Sequence, residues 1–180
     1  MALPATIHRI AVDLSDIDRD HYARLEATVA RHPSETAPRL VLRVLAYALC
    51  YEEDLVFTKG VAAGDEPDLW AKGPAGRVQE WVEVGFPDPE RLRKASRHAE
   101  RVALVAGGGG LQRWLNQHQP KLAVLANLTV LTLDPVLVDR LAETLERVVE
   151  WSVTVSGGVL YLTLGGETLV SPITIVQGTR

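Results

Sequence analysis

Only one cysteine, Cys50, occurs among the 180 residues. With no second thiol to pair with it, an internal disulfide framework is excluded, and a reducing compartment is the simplest setting. Its place in the run VLAYALCY marks Cys50 as a small core residue rather than a reactive thiol. Long apolar runs are missing too, since no stretch approaches the ~20 residues that cross a bilayer. The start, MALPATIHRI, lacks a basic segment followed by an apolar one. Neither a signal peptide nor a membrane anchor is therefore expected, and the expected location is the cytoplasm. Positive charge is not in excess: 19 Lys+Arg against 23 Asp+Glu leave a formal net charge of −4. That balance speaks against a broad nucleic-acid-coating surface but leaves room for a small local groove.

Familiar catalytic patterns are absent as well. His8, His21, His32, His98 and His118 form no HxxxH and no His/Cys pair at metal spacing, which argues against zinc. Ser34 sits in HPSET without a GxSxG elbow, so a serine hydrolase is not indicated. Gly107 to Gly110 are not followed by GK[ST], so the run is no Walker loop. Trp70, Trp81, Trp114 and Trp151 are dispersed, as core tryptophans are.

What is present is globular. Apolar residues make up 47% and charged residues 23%, which suits a single domain over 1–180 with its own core. Alternation over Thr6 to Leu14 predicts a strand. Tyr22, Leu25, Val29 and Ala30 stand at helical spacing and predict a helix over Arg19 to Ala30, ended by Pro33. Ser34 or Thr36 can cap a second helix with Pro38 in its first turn, and the apolar stripe from Leu40 to Leu49 is wide enough to pack on a sheet. Leu55 to Thr58 reads as a short strand, Gly64 to Gly76 as turns with at most a short strand, and Val78 to Val84 as a strand. Asp88 and Pro89 open a helix expected to run to Ala106, with a basic stripe of Arg91, Lys94, His98 and Arg101. A short helix over Leu111 to Gln117, β-structure over Leu122 to Leu133 and a helix from Pro135 to Val149 follow. The end, Trp151 to Val176, reads as two or three strands turning at Gly157-Gly158 and Gly165-Gly166.

Acids and a lysine fall in an order that suits phosphodiester hydrolysis. Asp65, Glu66 and Asp68 stand in GDEPD, Glu83 in the strand WVEVG and Lys94 in RLRKA. Carboxylates are the hard oxygen ligands of Mg²⁺, the metal activates water, and a lysine can steady the developing charge. Trp81, Glu83 and Gly85 share one face of the strand, and a carboxylate there needs a metal, a cation or solvent. Each group also has an ordinary reading. GDEPD is a good solvated turn, Glu83 can pair with Arg91 or Lys94, Lys94 can pair with Glu90 four residues earlier, and Glu35 can favour a helix dipole.

The blocks RHPSET (Arg31 to Thr36), DEPDLW (Asp65 to Trp70), WVEVGFPD (Trp81 to Asp88), RLRKA (Arg91 to Ala95) and LANLTV (Leu125 to Val130), in this order after MALPATIHRI, resemble the YaeQ family. The resemblance implies an α+β fold: a variant PD-(D/E)XK nuclease-like core, with a mixed central sheet flanked by α-helices and additional strands. It further implies a Mg²⁺ site, with Mn²⁺ possible, held by Asp65, Asp68 and Glu83. Glu35, Asp68, Glu83 and Lys94 are the implied catalytic residues. That superfamily's motif asks for acid-x-lysine on the second strand, whereas Glu83-Val84-Gly85 carries glycine in the lysine's place. Lys94 on the next helix then resembles a migrated lysine, and Glu35 an auxiliary acid. Two expectations follow. One is a metal-dependent nuclease-like enzyme. The other is a non-catalytic descendant that binds nucleic acid or a protein partner in the same groove.

Overall fold

The computed structural model describes residues 4–62 and 64–180. Its strands are β1 (Thr6–Asp16), β2 (His21–Arg31), β3 (Val56–Phe57), β4 (Leu69–Lys72), β5 (Val78–Val84), β6 (Ala99–Gly107), β7 (Leu128–Leu133), β8 (Val148–Ser156), β9 (Val159–Leu164) and β10 (Glu167–Gln177). Its helices are α1 (Ala37–Leu49), α2 (Pro89–His98), α3 (Leu111–Leu122) and α4 (Pro135–Glu143). The strands form one mixed sheet in the order β2-β1-β8-β9-β10-β7-β6-β5-β4-β3. Pairing is parallel between β1 and β8 and along β5-β6-β7, and antiparallel elsewhere. One long strand joins the two halves: β10 pairs with β9 through residues 167–172 and with β7 through residues 173–177.

Helix α1 explains the curl of that sheet. Thr36 caps it, accepting from the Arg39 N–H at 3.3 Å, and Pro38 lies in the first turn. Every residue from Leu40 to Leu49 is buried, all but Arg43 of them uncharged, and a helix buried on all sides has to be enclosed. One core cluster joins α1 to β1, β8 and β9 on one side and to β4, β5 and β6 on the other. The helix therefore lies inside the sheet's concavity, with α4 beside it, rather than flanking a flat sheet. Helices α2 and α3 cover the opposite face of β5-β6-β7 around Leu92, Ala95, Leu104 and Trp114.

Residues 21–31 are strand, not helix. Ala23, Leu25, Ala27 and Val29 recur every second residue and pack toward the core, and β2 pairs with β1 along its whole length. Two of those four are alanines, so the apolar alternation was faint and the larger side chains mimicked a helical period. The second departure is at α2, which ends at His98 instead of Ala106. The run Val102 to Gly107 is wholly buried between two layers, and such a run has no period that separates strand from helix. The stop signal comes from 31 residues away: the Asn127 side-chain amide donates to the carbonyls of Ser96 (3.0 Å), Ala99 (3.1 Å) and Glu100 (3.3 Å). Asn127→Ala is expected to lower the unfolding free energy by about 1–3 kcal/mol, because it orphans carbonyls at a helix end. Denaturant unfolding of the two proteins measures it. In the same way α4 stops at Glu143 and α3 extends to Leu122, so β-structure begins only at Leu128 and Val148. The hairpin turns fall where expected, with positive φ at Gly157, Gly158, Gly165 and Gly166.

No helix among the described residues is long and apolar enough to cross a membrane.

Candidate functional site

The N-terminal end of α1 meets the C-terminal end of β5, and the expected acids are divided between a buried network and the surface. Glu35, Arg39 and Arg43 stand four residues apart, so they line one side of the α1 entry. Asp68 lies one residue before β4. Its backbone N–H donates to Val82 O at 3.0 Å, and its carboxylate accepts from the Val84 N–H at 3.0 Å. Arg39 Nη2 spans both Asp68 oxygens at 2.8 and 2.9 Å, and its Nη1 reaches Glu35 Oε1 at 3.0 Å. Arg43 is fully buried. Its Nη1 donates to Glu35 Oε2 at 3.2 Å, its Nη2 donates to Thr58 O at 3.1 Å, and its Nε lies 3.6 Å from Asp68 Oδ1. The last contact is ionic but too long for a hydrogen bond. The guanidinium also stands over the Phe57 ring at 5.5 Å. Gly60 permits this packing: its φ is +57°, and a Cβ there would lie 3.1 Å from Arg43 Cζ.

Glu83 faces the other side of β5, as alternation required. Its Oε1 accepts from Trp81 Nε1 and from Arg91 Nε, both at 2.8 Å. Arg91 continues to the carbonyls of Gly64 and Glu66, so it ties α2 to the loop before β4. Burial pushes the Glu83 carboxyl above its ordinary value of 4.5, and the hydrogen bonds from Arg91 and Trp81 oppose that shift without cancelling it. The folded protein thus holds this proton more tightly than the unfolded chain does. Stability from this group is full below pH 4.5 and falls as the pH rises through the raised value. Glu83→Gln is expected to remove that fall, which melting curves across pH 4 to 8 on both proteins would show as a flatter profile for the variant.

Asp65 and Lys94 stand at the surface, 3.5 Å apart, with side chains 96% and 67% exposed. Glu90 pairs with Arg93 at 2.9 Å, so the expected Glu90–Lys94 pair is not formed. The expected basic stripe is also divided, because Arg101 belongs to β6 and binds Glu80 at 2.7 Å at the far end of the strands. A cleft of about 320 Å³ between the buried network and the surface pair is lined by Arg39, Asp68, Glu83, Phe86 and Arg91.

The structure therefore brings Glu35 and Asp68 into one network, sets Glu83 beside it on β5, and leaves Asp65 and Lys94 at the rim. As arranged, the carboxylates do not offer a cation site. Asp68, Glu35 and Glu83 each hold an arginine, and among the described residues no three His, Cys, Asp or Glu side chains are grouped to hold a metal ion. The residues that the sequence reading passed over are Arg39 and Arg43. The only signal was a charged residue, Arg43, inside the apolar stripe of α1; a cation there has to be paired.

Relatives share this whole arrangement of chain. The family described as YaeQ protein matches residues 1–172. A protein of Salmonella typhi named Uncharacterized protein YaeQ is 38% identical over 178 residues, which is 98% of each chain. One of the same name from Escherichia coli is 37% identical over 163 residues, 90% of each. The crystal structure of YaeQ protein from Pseudomonas syringae superposes with a TM-score of 0.93 at 36% identity, covering 99% of both chains. That from Xanthomonas axonopodis pv. citri gives 0.92 at 31% identity, covering 97% of this chain and 99% of its own. Matching sequence along nearly its full length and matching fold together place the chain in the YaeQ family.

Proposed function

We propose that the protein is a non-catalytic descendant of the PD-(D/E)XK nuclease-like fold whose cleft binds the phosphate backbone of nucleic acid. One observation carries the reading: each buried acid that the nuclease motif would give to a metal is instead bonded to an arginine. An arginine can take the electrostatic place of a divalent cation, holding the acids and presenting donors to a phosphate. Arg39 and Arg91, with side chains 26% and 31% exposed, face the cleft while their acids lie behind them. Lys94, exposed and paired with Asp65, adds a charge nearby. Such a site positions a backbone and reads no sequence. Binding is tested with fluorescein-labelled single- and double-stranded oligonucleotides titrated in EDTA. Arg91→Gln is expected to weaken binding for all of them, and equal affinity in that variant would overturn the reading.

A second reading keeps the enzyme. Asp68 and Glu83 line one cleft, and a carboxyl held above its ordinary value by burial gains from a nearby cation. In that reading Mg²⁺ or Mn²⁺ takes Asp65, Asp68 and Glu83, while Glu35 and Lys94 assist. Arg91 would first have to leave Glu83. Calorimetric titration of Mn²⁺ into the wild type and Glu83→Ala separates the readings. Saturable binding that the substitution abolishes supports the enzyme; no binding by either protein supports the arginine cleft.

A further inference from the structure

At the opposite end of α1, about 20 Å from the candidate site at 1.5 Å per residue, a larger cavity of about 650 Å³ opens between the sheet halves. Its volume is that of a small-molecule site. Two walls of opposite character face each other across it. On the first, Arg19 and Arg180 share one fully buried acid, Asp16: Arg19 Nε donates at 2.8 Å, and Arg180 donates through Nη1 at 3.4 Å and through Nη2. The same arginines donate to carbonyls at the end of α1 and just beyond it, Arg180 to Leu49 at 3.3 Å and Arg19 to Tyr51 at 3.4 Å, where a helix end favours cations. Arg19 Nη2 is buried and has no hydrogen-bond partner among the described residues. This wall holds two cations for one anion.

The second wall has the reverse surplus. Glu80 and Glu52 share one cation, Arg101, through contacts of 2.7 and 3.5 Å. Glu80 is buried and Arg101 is more than half exposed, so the acid is only partly compensated. Burial holds the Glu80 carboxyl above its ordinary value and the Arg180 guanidinium below its own. By count each wall carries one charge in surplus, and the two surpluses sense each other across the space, since Arg19 acts on the Glu80 carboxyl and opposes the effect of burial. Between them lie apolar Leu49 and Leu128, with the Cys50 thiol, which burial pushes up to about 12, so it stays protonated and is not a nucleophile.

We infer that this cavity is a second binding site for a small zwitterion of the amino-acid or dipeptide class. Its carboxylate would meet Arg19 and Arg180, and its ammonium would meet Glu80 and Glu52. A free anion satisfies only the first wall and a free amine only the second, so a molecule carrying both charges is favoured over either. The site is independent of the arginine cleft, because α1 separates the two and, among the described residues, none lines both.

The test uses the full chain and named probes: the standard L-amino acids and glycyl dipeptides, each titrated singly by calorimetry. For the tightest probe, its N-acetyl and carboxamide forms are compared. The expected result is saturable binding that weakens about tenfold or more when either end is blocked. Glu80→Gln, which keeps the side chain's size and an acceptor for Arg101 and whose folding is checked by its melting curve, is expected to weaken the parent probe and leave the N-acetyl form unchanged. No probe binding tighter than about 1 mM would overturn the proposal. Blocked forms that bind as well as the parent would overturn it too.

Discussion

Asp68→Ala is expected to lose about 3–5 kcal/mol of unfolding free energy, on the scale for breaking a buried ion pair by removing one partner. The loss has three sources in the structure. Arg43, with no exposed surface, keeps only Glu35 and the Thr58 carbonyl; Arg39 loses both oxygens of its two-point contact; and the buried Val84 N–H loses its acceptor. Asp68→Asn keeps an acceptor for Val84 and is expected to fall between that variant and the wild type. Asp65→Ala makes the contrast. Its side chain is almost wholly in water, so the change is expected to stay within about 0.5 kcal/mol. Urea unfolding of the three variants measures the order. An Asp68→Ala protein as stable as Asp65→Ala would mean that the network is not formed.

Leu45→Ala is expected to cost about 2–5 kcal/mol, at the upper part of that range. Leu45 sits mid-way along α1 with no exposed surface, and the strands around it belong to both halves of the sheet. A cavity opened there has sheet on opposite sides, and collapse would have to move two sets of paired strands. Leu111→Ala, at the partly buried start of α3, is expected to cost less. Thermal melts of the two variants compare them, and equal costs would contradict the enclosed position of α1.

Local chemistry made some elements legible and hid others. The Thr36 cap with Pro38, the Asp88-Pro89 start of α2 and the Gly-Gly hairpins are short-range signals, and each element begins where they stand. The strand β5 was readable because a bounded, β-rich run needs no distant partner to be recognised. Where termination depends on a distant residue, the reading failed: Asn127 ends α2, and pairing with β1 makes residues 21–31 a strand in spite of their helical spacing. The enclosure of α1 is likewise a property of the whole sheet, although its wide apolar stripe hinted at it. At the candidate site, strand alternation left Glu83 open to a metal, a cation or solvent, with Arg91 or Lys94 as candidate partners, and Arg91 is the one that binds it. The grip of Arg39 and Arg43 on Asp68 was not legible, because it joins α1 to a residue 29 positions away from Arg39. Acids in order along a chain fix where carboxylates stand, but the cations that fold against them decide what those carboxylates can hold.

The central proposal is that the arginine-filled cleft holds a phosphate backbone without cutting it. The most direct measurement is anisotropy of a labelled oligonucleotide against salt concentration, in EDTA and in Mn²⁺, with the strand examined on a gel afterwards. Engagement by Arg39, Arg91 and Lys94 predicts a log–log salt slope of roughly −2 to −3, reduced by about one in Arg91→Gln, with the strand intact in both conditions. Absence of binding at low salt, or cleavage in Mn²⁺ that Glu83→Ala abolishes, would contradict it.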